Sequence, residues 1–115
     1  MARSQSLTRL TGTGEILGTI NYLPPEQITR QEYTPASDIY SLGVVFYELL
    51  TLEKPFIGDF PVDIIKQILD KNPVDPFRFR PELTAEINQL IMQMMNKLPE
   101  QRPSEELILK TLCSV

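Results

Sequence analysis

The chain has 115 residues, 42% of them hydrophobic, enough apolar material for one packed domain and too much for a disordered segment. Fifteen acidic against eleven basic side chains leave a net charge of −4, so the broad positive surface that draws in a phosphate backbone is missing and no nucleic-acid partner is expected. Histidine is absent and Cys113 is the single cysteine, which removes histidine-based acid–base catalysis, Ser-His and Cys-His nucleophiles, the usual zinc ligand sets and any intrachain disulfide.

A lone cysteine fits a reducing compartment, and a cytoplasmic location is expected. The N-terminal residues MARSQSLTRL carry no apolar core of signal-peptide length. The most apolar run, Leu42 to Leu50, is interrupted by Glu48. No membrane contact is therefore expected from this segment.

Residues 1 to 19 are rich in Ser, Thr, Gly and Arg, with scattered hydrophobics, and read as an exposed loop. Gly12, Gly14 and Gly18 are spaced G-x-G-x-x-x-G, whereas a phosphate cradle needs G-x-G-x-x-G after a strand. Leu17 fills the last glycine position and no strand precedes, so a flexible segment is the better reading. Pro24-Pro25 then introduces a short helical turn, Glu26 to Thr29, because proline is tolerated where a helix begins.

SDIYSLGVVFYELLT, Ser37 to Thr51, predicts a helix capped by Ser37 with Asp38 at its positive end. Apolar side chains cover every side of that cylinder, as in a helix enclosed by a larger body. Asp59 is the expected cap of a next, amphipathic helix, about Phe60 to Lys71, with a stripe of Ile64, Ile65, Ile68 and Leu69. DFP, Asp59 to Pro61, is a poor match to a magnesium-binding D-F-G, since proline lacks that glycine's freedom.

Residues 73 to 83 hold three prolines and form a connecting loop, in which FRFRP is expected to fold its Phe residues inward. Thr84 caps a helix with Ile87, Leu90, Ile91, Met94, Met95 and Leu98 at helical spacing. Its methionines, Met92 among them, read as core filling. Ser104 with Glu105-Glu106 starts a last short helix bearing Leu107, Ile108 and Leu112. The expected fold class is all-α, four or so helices behind an irregular first fifth.

Three pieces in order, GTINYLPPEQ, SDIYSLGVVFYELLT and LPEQRPS, resemble the back half of a eukaryotic-type serine/threonine protein kinase domain, with a bacterial flavour. The resemblance implies a helical C-lobe fragment over residues 27–115, preceded over residues 1–26 by the second part of the activation segment and the wall that faces the peptide substrate. By that resemblance Leu23-Pro24-Pro25-Glu26 stands where A-P-E closes the activation segment, Pro24 replacing the usual Ala or Ser. Gly18, Thr19, Tyr22 and Pro24 then belong to the substrate wall, and Thr11 and Thr13 look like activation-loop phosphorylation sites, where phosphate would pair with arginine. Asp38, Tyr40 and Gly43 match the D-x-W-S-x-G start of the central helix, Tyr40 standing for Trp, and Arg102 matches the arginine that pairs with the A-P-E glutamate, here Glu26.

The family's glycine loop, strand lysine, H-R-D and D-F-G are not among these residues, and Met1-Ala2-Arg3 resembles what directly follows D-F-G. The polypeptide alone is therefore expected to hold no cofactor and transfer no phosphate, ATP and magnesium belonging to the intact family domain. Its expected partners are the missing N-terminal half of a kinase domain, or another kinase, and a protein substrate. An exposed apolar face on the central helix and an Asp38 without a partner are expected as consequences. The alternative is a non-catalytic helical module that binds a kinase or its substrates.

Overall fold

The structure, a computed structural model, describes residues 20–114. Among them the secondary structure is helical throughout, five α-helices and two 3-10 turns with no strand. The all-α expectation holds, and the Val44 to Tyr47 run is part of a helix.

Helix α1, Pro25–Arg30, starts at its first proline, whose missing N–H is no loss at that position, and ends at Gln31 in the left-handed region (φ 54°). Helix α2, Pro35–Thr51, is the axis of the molecule, about 25 Å long. It starts two residues before the expected cap because Thr34 is extended and Pro35 pre-sets the helical φ. Ser37 becomes the third helical residue, and its Oγ accepts from the Thr34 N–H at 3.1 Å. The helix stops at Leu52, again left-handed (φ 60°).

Helix α3, Pro61–Asp70, is capped from within: the Phe60 N–H donates to the Asp63 carboxylate at 3.3 Å, and Asp59 is not the cap. A 3-10 turn at Pro76–Arg78 leads to α4, Ala85–Met94, where the Ile87 N–H donates to Thr84 Oγ1 at 3.2 Å. A second 3-10 turn, Pro99–Gln101, precedes α5, Glu105–Cys113, where the Leu107 N–H donates to Ser104 Oγ at 3.2 Å.

The core joins α2, packed on α4, to α3: Tyr40, Val44 and Tyr47 of α2 share one cluster with Ile64 and Ile68 of α3, Ile91 of α4, and Ile20, Phe56 and Met95. A smaller cluster joins Leu90 and Met94 to Ile108 of α5. Gly43 sets the distance between α2 and α4, since a Cβ there would lie 2.8 Å from Met94 Cβ. Met94 and Met95 are buried and Met92 half-buried, so methionine fills space here.

Two apolar expectations fail. Leu98 lies past the end of α4 and is exposed, because the chain turns at Asn96, whose Oδ1 accepts from the Leu98 N–H at 3.0 Å. Phe77 and Phe79 stay partly exposed, because the 3-10 turn buries Pro76 instead and ties the Phe77 N–H to Asn88 Oδ1 at 3.1 Å.

Opposite its buried side, α2 carries Leu42, Val45 and Leu49, which are 40%, 37% and 65% exposed. These positions recur at i, i+3 and i+7, so they form one apolar stripe facing outward among the described residues. That stripe is where the all-round apolarity of the helix finds no cover.

Candidate functional site

Pro24 is extended (φ −68°, ψ 152°) and fully buried, and Pro25 begins α1, so Glu26 is delivered to the first turn of a helix whose positive end favours a carboxylate. The Glu26 side chain is only 4% exposed and the Arg102 side chain not exposed at all. Arg102 follows the Pro99–Gln101 turn and meets Glu26 as a fork: Nη1 donates to Oε2 and Nη2 to Oε1, each at 2.8 Å. Ser37 Oγ donates to Glu26 Oε2 at 2.7 Å.

Arg102 uses its remaining donors on the backbone, Nη1 to Ala36 O at 2.9 Å and Nε to Asn96 O at 2.8 Å. Its plane also lies 5.0 Å from the centre of the Tyr40 ring. Burial pushes the Glu26 carboxyl upward, but hydrogen bonds from Arg102 and Ser37 outweigh it, and the group sits below the usual 4.5. One knot thus ties α1, the start of α2 and the turn before α5.

The segment leading into α1 is fastened to the middle of α2. Tyr22 Oη donates to Glu48 Oε1 at 2.6 Å, and Ser41 Oγ donates to the Tyr22 carbonyl at 2.7 Å. That hydrogen bond to Glu48, then burial and the glutamate's charge, push the Tyr22 phenol up to about 12, so it stays protonated across the physiological range. Asn21 is buried alongside. The ring and the backbone of Tyr22 are therefore both fixed on α2.

Of the residues singled out in the sequence, Glu26 and Arg102 are brought into direct contact, Tyr22 and Pro24 lie on one fastened segment, and Gly43 lies at the crossing of α2 with α4. Thr11, Thr13, Gly18 and Thr19 lie outside the described residues. Asp38 is exposed in the first turn of α2, beside a cleft of about 280 Å³ that Ile39, Leu42 and Ile108 also border. It is not without a partner, contrary to expectation. A carboxylate in a helix's first turn has its own supply of nearby donors.

Two members of this arrangement escaped the sequence reading. Ser37 reads as a cap but serves as a donor to Glu26, and Glu48 reads as a break in an apolar run but anchors Tyr22. The signal for Glu48 was present: a single acid inside an apolar helix demands a partner.

The described residues hold no group of three or more His, Cys, Asp or Glu side chains placed to bind a metal ion. The glycine loop and D-F-G with which this family holds ATP and magnesium are not among the 115 residues. What the arrangement can do is hold a loop rigidly against a helical body.

The family described as "Protein kinase domain" matches residues 2–113. The chain is 41% identical over 93 residues to the serine/threonine-protein kinase PknB of Mycolicibacterium smegmatis, covering 81% of this chain and 15% of that protein. It is 38% identical over 101 residues to a probable serine/threonine-protein kinase, SCO3848, of Streptomyces coelicolor, covering 88% of this chain and 15% of that protein. With the serine/threonine-protein kinase drp72 of Corynebacterium efficiens the identity is 39% over 103 residues, 89% of this chain and 19% of that protein. The chain thus spans less than a fifth of the length of these curated relatives.

Proposed function

The chain belongs to the protein kinase domain family, of the bacterial serine/threonine type, and on that premise we propose that these residues are the substrate-facing helical part of a kinase domain. Residues 1–26 act as the later activation segment and peptide wall, and 27–115 as the helical body behind it. The observation that carries this reading is the buried fork between Glu26 and Arg102, which fixes the end of the wall to the body. Gly18, Thr19 and Tyr22 would face a protein substrate, the buried Pro24 setting the course of the wall from behind, and phosphate on Thr11 or Thr13 would order the loop ahead of them.

The groups that move phosphate in this family are absent from the 115 residues, so they act from a partner segment, either the remaining part of the kinase domain or another kinase. The outward stripe of Leu42, Val45 and Leu49 is the surface such a segment would cover. ATP-dependent chemistry and a single exposed cysteine both favour the cytoplasm. No helix among the described residues is long and apolar enough to cross a membrane.

The test is to titrate the purified chain with magnesium and ATP and to follow transfer of the γ-phosphate to itself and to a generic Ser/Thr protein substrate. The proposal expects neither saturable nucleotide binding nor transfer. Magnesium-dependent transfer by this chain alone would overturn it.

A further inference from the structure

The FRFRP segment serves neither the Glu26 knot nor the Tyr22 wall, and its Arg80 borders a groove that neither of them uses. The groove encloses about 470 Å³ between Phe46 and Leu50 of α2, Ile87 and Leu90 of α4, and Leu112 of α5. These walls are apolar. The polar residues of the lining, Arg80, Glu82 and Thr84, come from one short stretch of chain, so polarity gathers on one side.

Arg80 brings its charge to a wall of the groove, because Nη1 donates at 3.1 Å to the carbonyl of Leu50, itself a lining residue. Nε lies 3.4 Å from the Glu82 carboxylate, but the two side chains are 43% and 70% exposed, and so wet a pair contributes little. No bond to a described residue takes up Nη2.

We propose that this groove binds a medium-chain fatty acid, the alkyl chain along the apolar walls and the carboxylate on Arg80. A helix, about 10–12 Å across, would fill such a volume with roughly one turn, too short a seat to hold it. A single alkyl chain fits the space and finds apolar walls on several sides. Each methylene withdrawn from water tightens binding about fourfold, so the walls supply the affinity. The guanidinium supplies the choice of head group, since its N–H donors match a carboxylate in geometry and charge and gain much less from an alcohol. Glu82 works against the acid, as a like charge that the head group must displace.

The experiment titrates the 115-residue protein by calorimetry with decanoate, octanoate and 1-decanol, each below its solubility or micelle limit. The expected result is one saturable site for decanoate, with octanoate about tenfold weaker. Arg80→Gln should weaken decanoate about tenfold and leave decanol almost unchanged, whereas a merely structural loss would lower both alike. Glu82→Gln should tighten decanoate. Leu112→Glu changes a partly exposed wall position outside the α2 stripe and should weaken decanoate severalfold while leaving helicity intact. An equal response of acid and alcohol to Arg80→Gln overturns the proposal, as does uptake that never saturates. Loss of decanoate binding in Leu42→Gln with Val45→Gln also overturns it, because the ligand would then lie on the outward stripe of α2.

Discussion

Arg102 and Glu26 stand 76 residues apart in the chain and meet through two parallel hydrogen bonds of 2.8 Å, both side chains withdrawn from solvent. A buried pair of this kind is demanding, since the loss of either member strands a charge in a place water cannot reach. Ser37 Oγ and the carbonyls of Ala36 and Asn96 complete the shell, so the pair is hydrogen-bonded beyond its own fork.

Replacing Arg102 by Met, or Glu26 by Ala, should each destabilise the chain by about 3–5 kcal/mol. The double variant should lose markedly less than the sum of the two, because it leaves no lone charge behind. Urea denaturation of the four proteins measures the coupling, and strictly additive losses would show that the fork is not an energetic unit.

Acid should act through the same carboxyl. Because Glu26 holds its proton less tightly in the fold than the usual 4.5, its contribution is complete above that value and disappears as pH falls through the lower, folded value. Stability profiles between pH 7 and pH 2 for the parent and Glu26→Gln should therefore differ most near neutrality and converge at the acid end. A constant gap between the two profiles is the contrary outcome.

Gly43→Ala should destabilise. The added methyl would lie 2.8 Å from Met94 Cβ and 3.1 Å from Met95 Cγ, and Met94 Cβ cannot swing aside without its helix. Overpacking of this kind costs about 1–3 kcal/mol, more than the roughly 1 kcal/mol that alanine gains in a helix. A lowered denaturation midpoint is expected, and a raised one would show that α2 and α4 can move apart freely.

Much of this architecture is local and was legible. Thr84 and Ser104 sit directly before periodic runs, and a cap is decided by the three residues that follow it. Where the start depended on backbone geometry instead of side-chain type, the reading slipped: Pro35 and Pro61 set the first turns of α2 and α3, displacing Ser37 and Asp59 from the cap position. Leu98 continued the apolar spacing of α4 after the helix itself had stopped, because spacing carries no information about the turn at Asn96.

The site was legible through its motifs in the case of Glu26 and Arg102, whereas for Glu48 the sequence shows that a partner is needed and not which one. Its partner Tyr22 lies 26 residues away, and no periodicity in either segment announces the other.

The outward stripe on α2 should be sticky. The chain is expected to bind a hydrophobic dye and to self-associate, and Leu42→Gln, Val45→Gln and Leu49→Gln combined should reduce both while leaving helicity intact, glutamine being a good helix former. Dye fluorescence and sedimentation read the two effects. Unchanged dye binding in the triple variant would place the apolar surface elsewhere.

The most direct test of the account joins the part of the Mycolicibacterium smegmatis kinase that precedes its matched stretch to residues 1–115 of this chain and assays γ-phosphate transfer to a Ser/Thr peptide. The account predicts magnesium-dependent transfer by the joined protein, sharply reduced by Arg102→Met, and none by residues 1–115 alone. A joined protein that is folded yet silent, or transfer by the 115 residues without any added part, would contradict it.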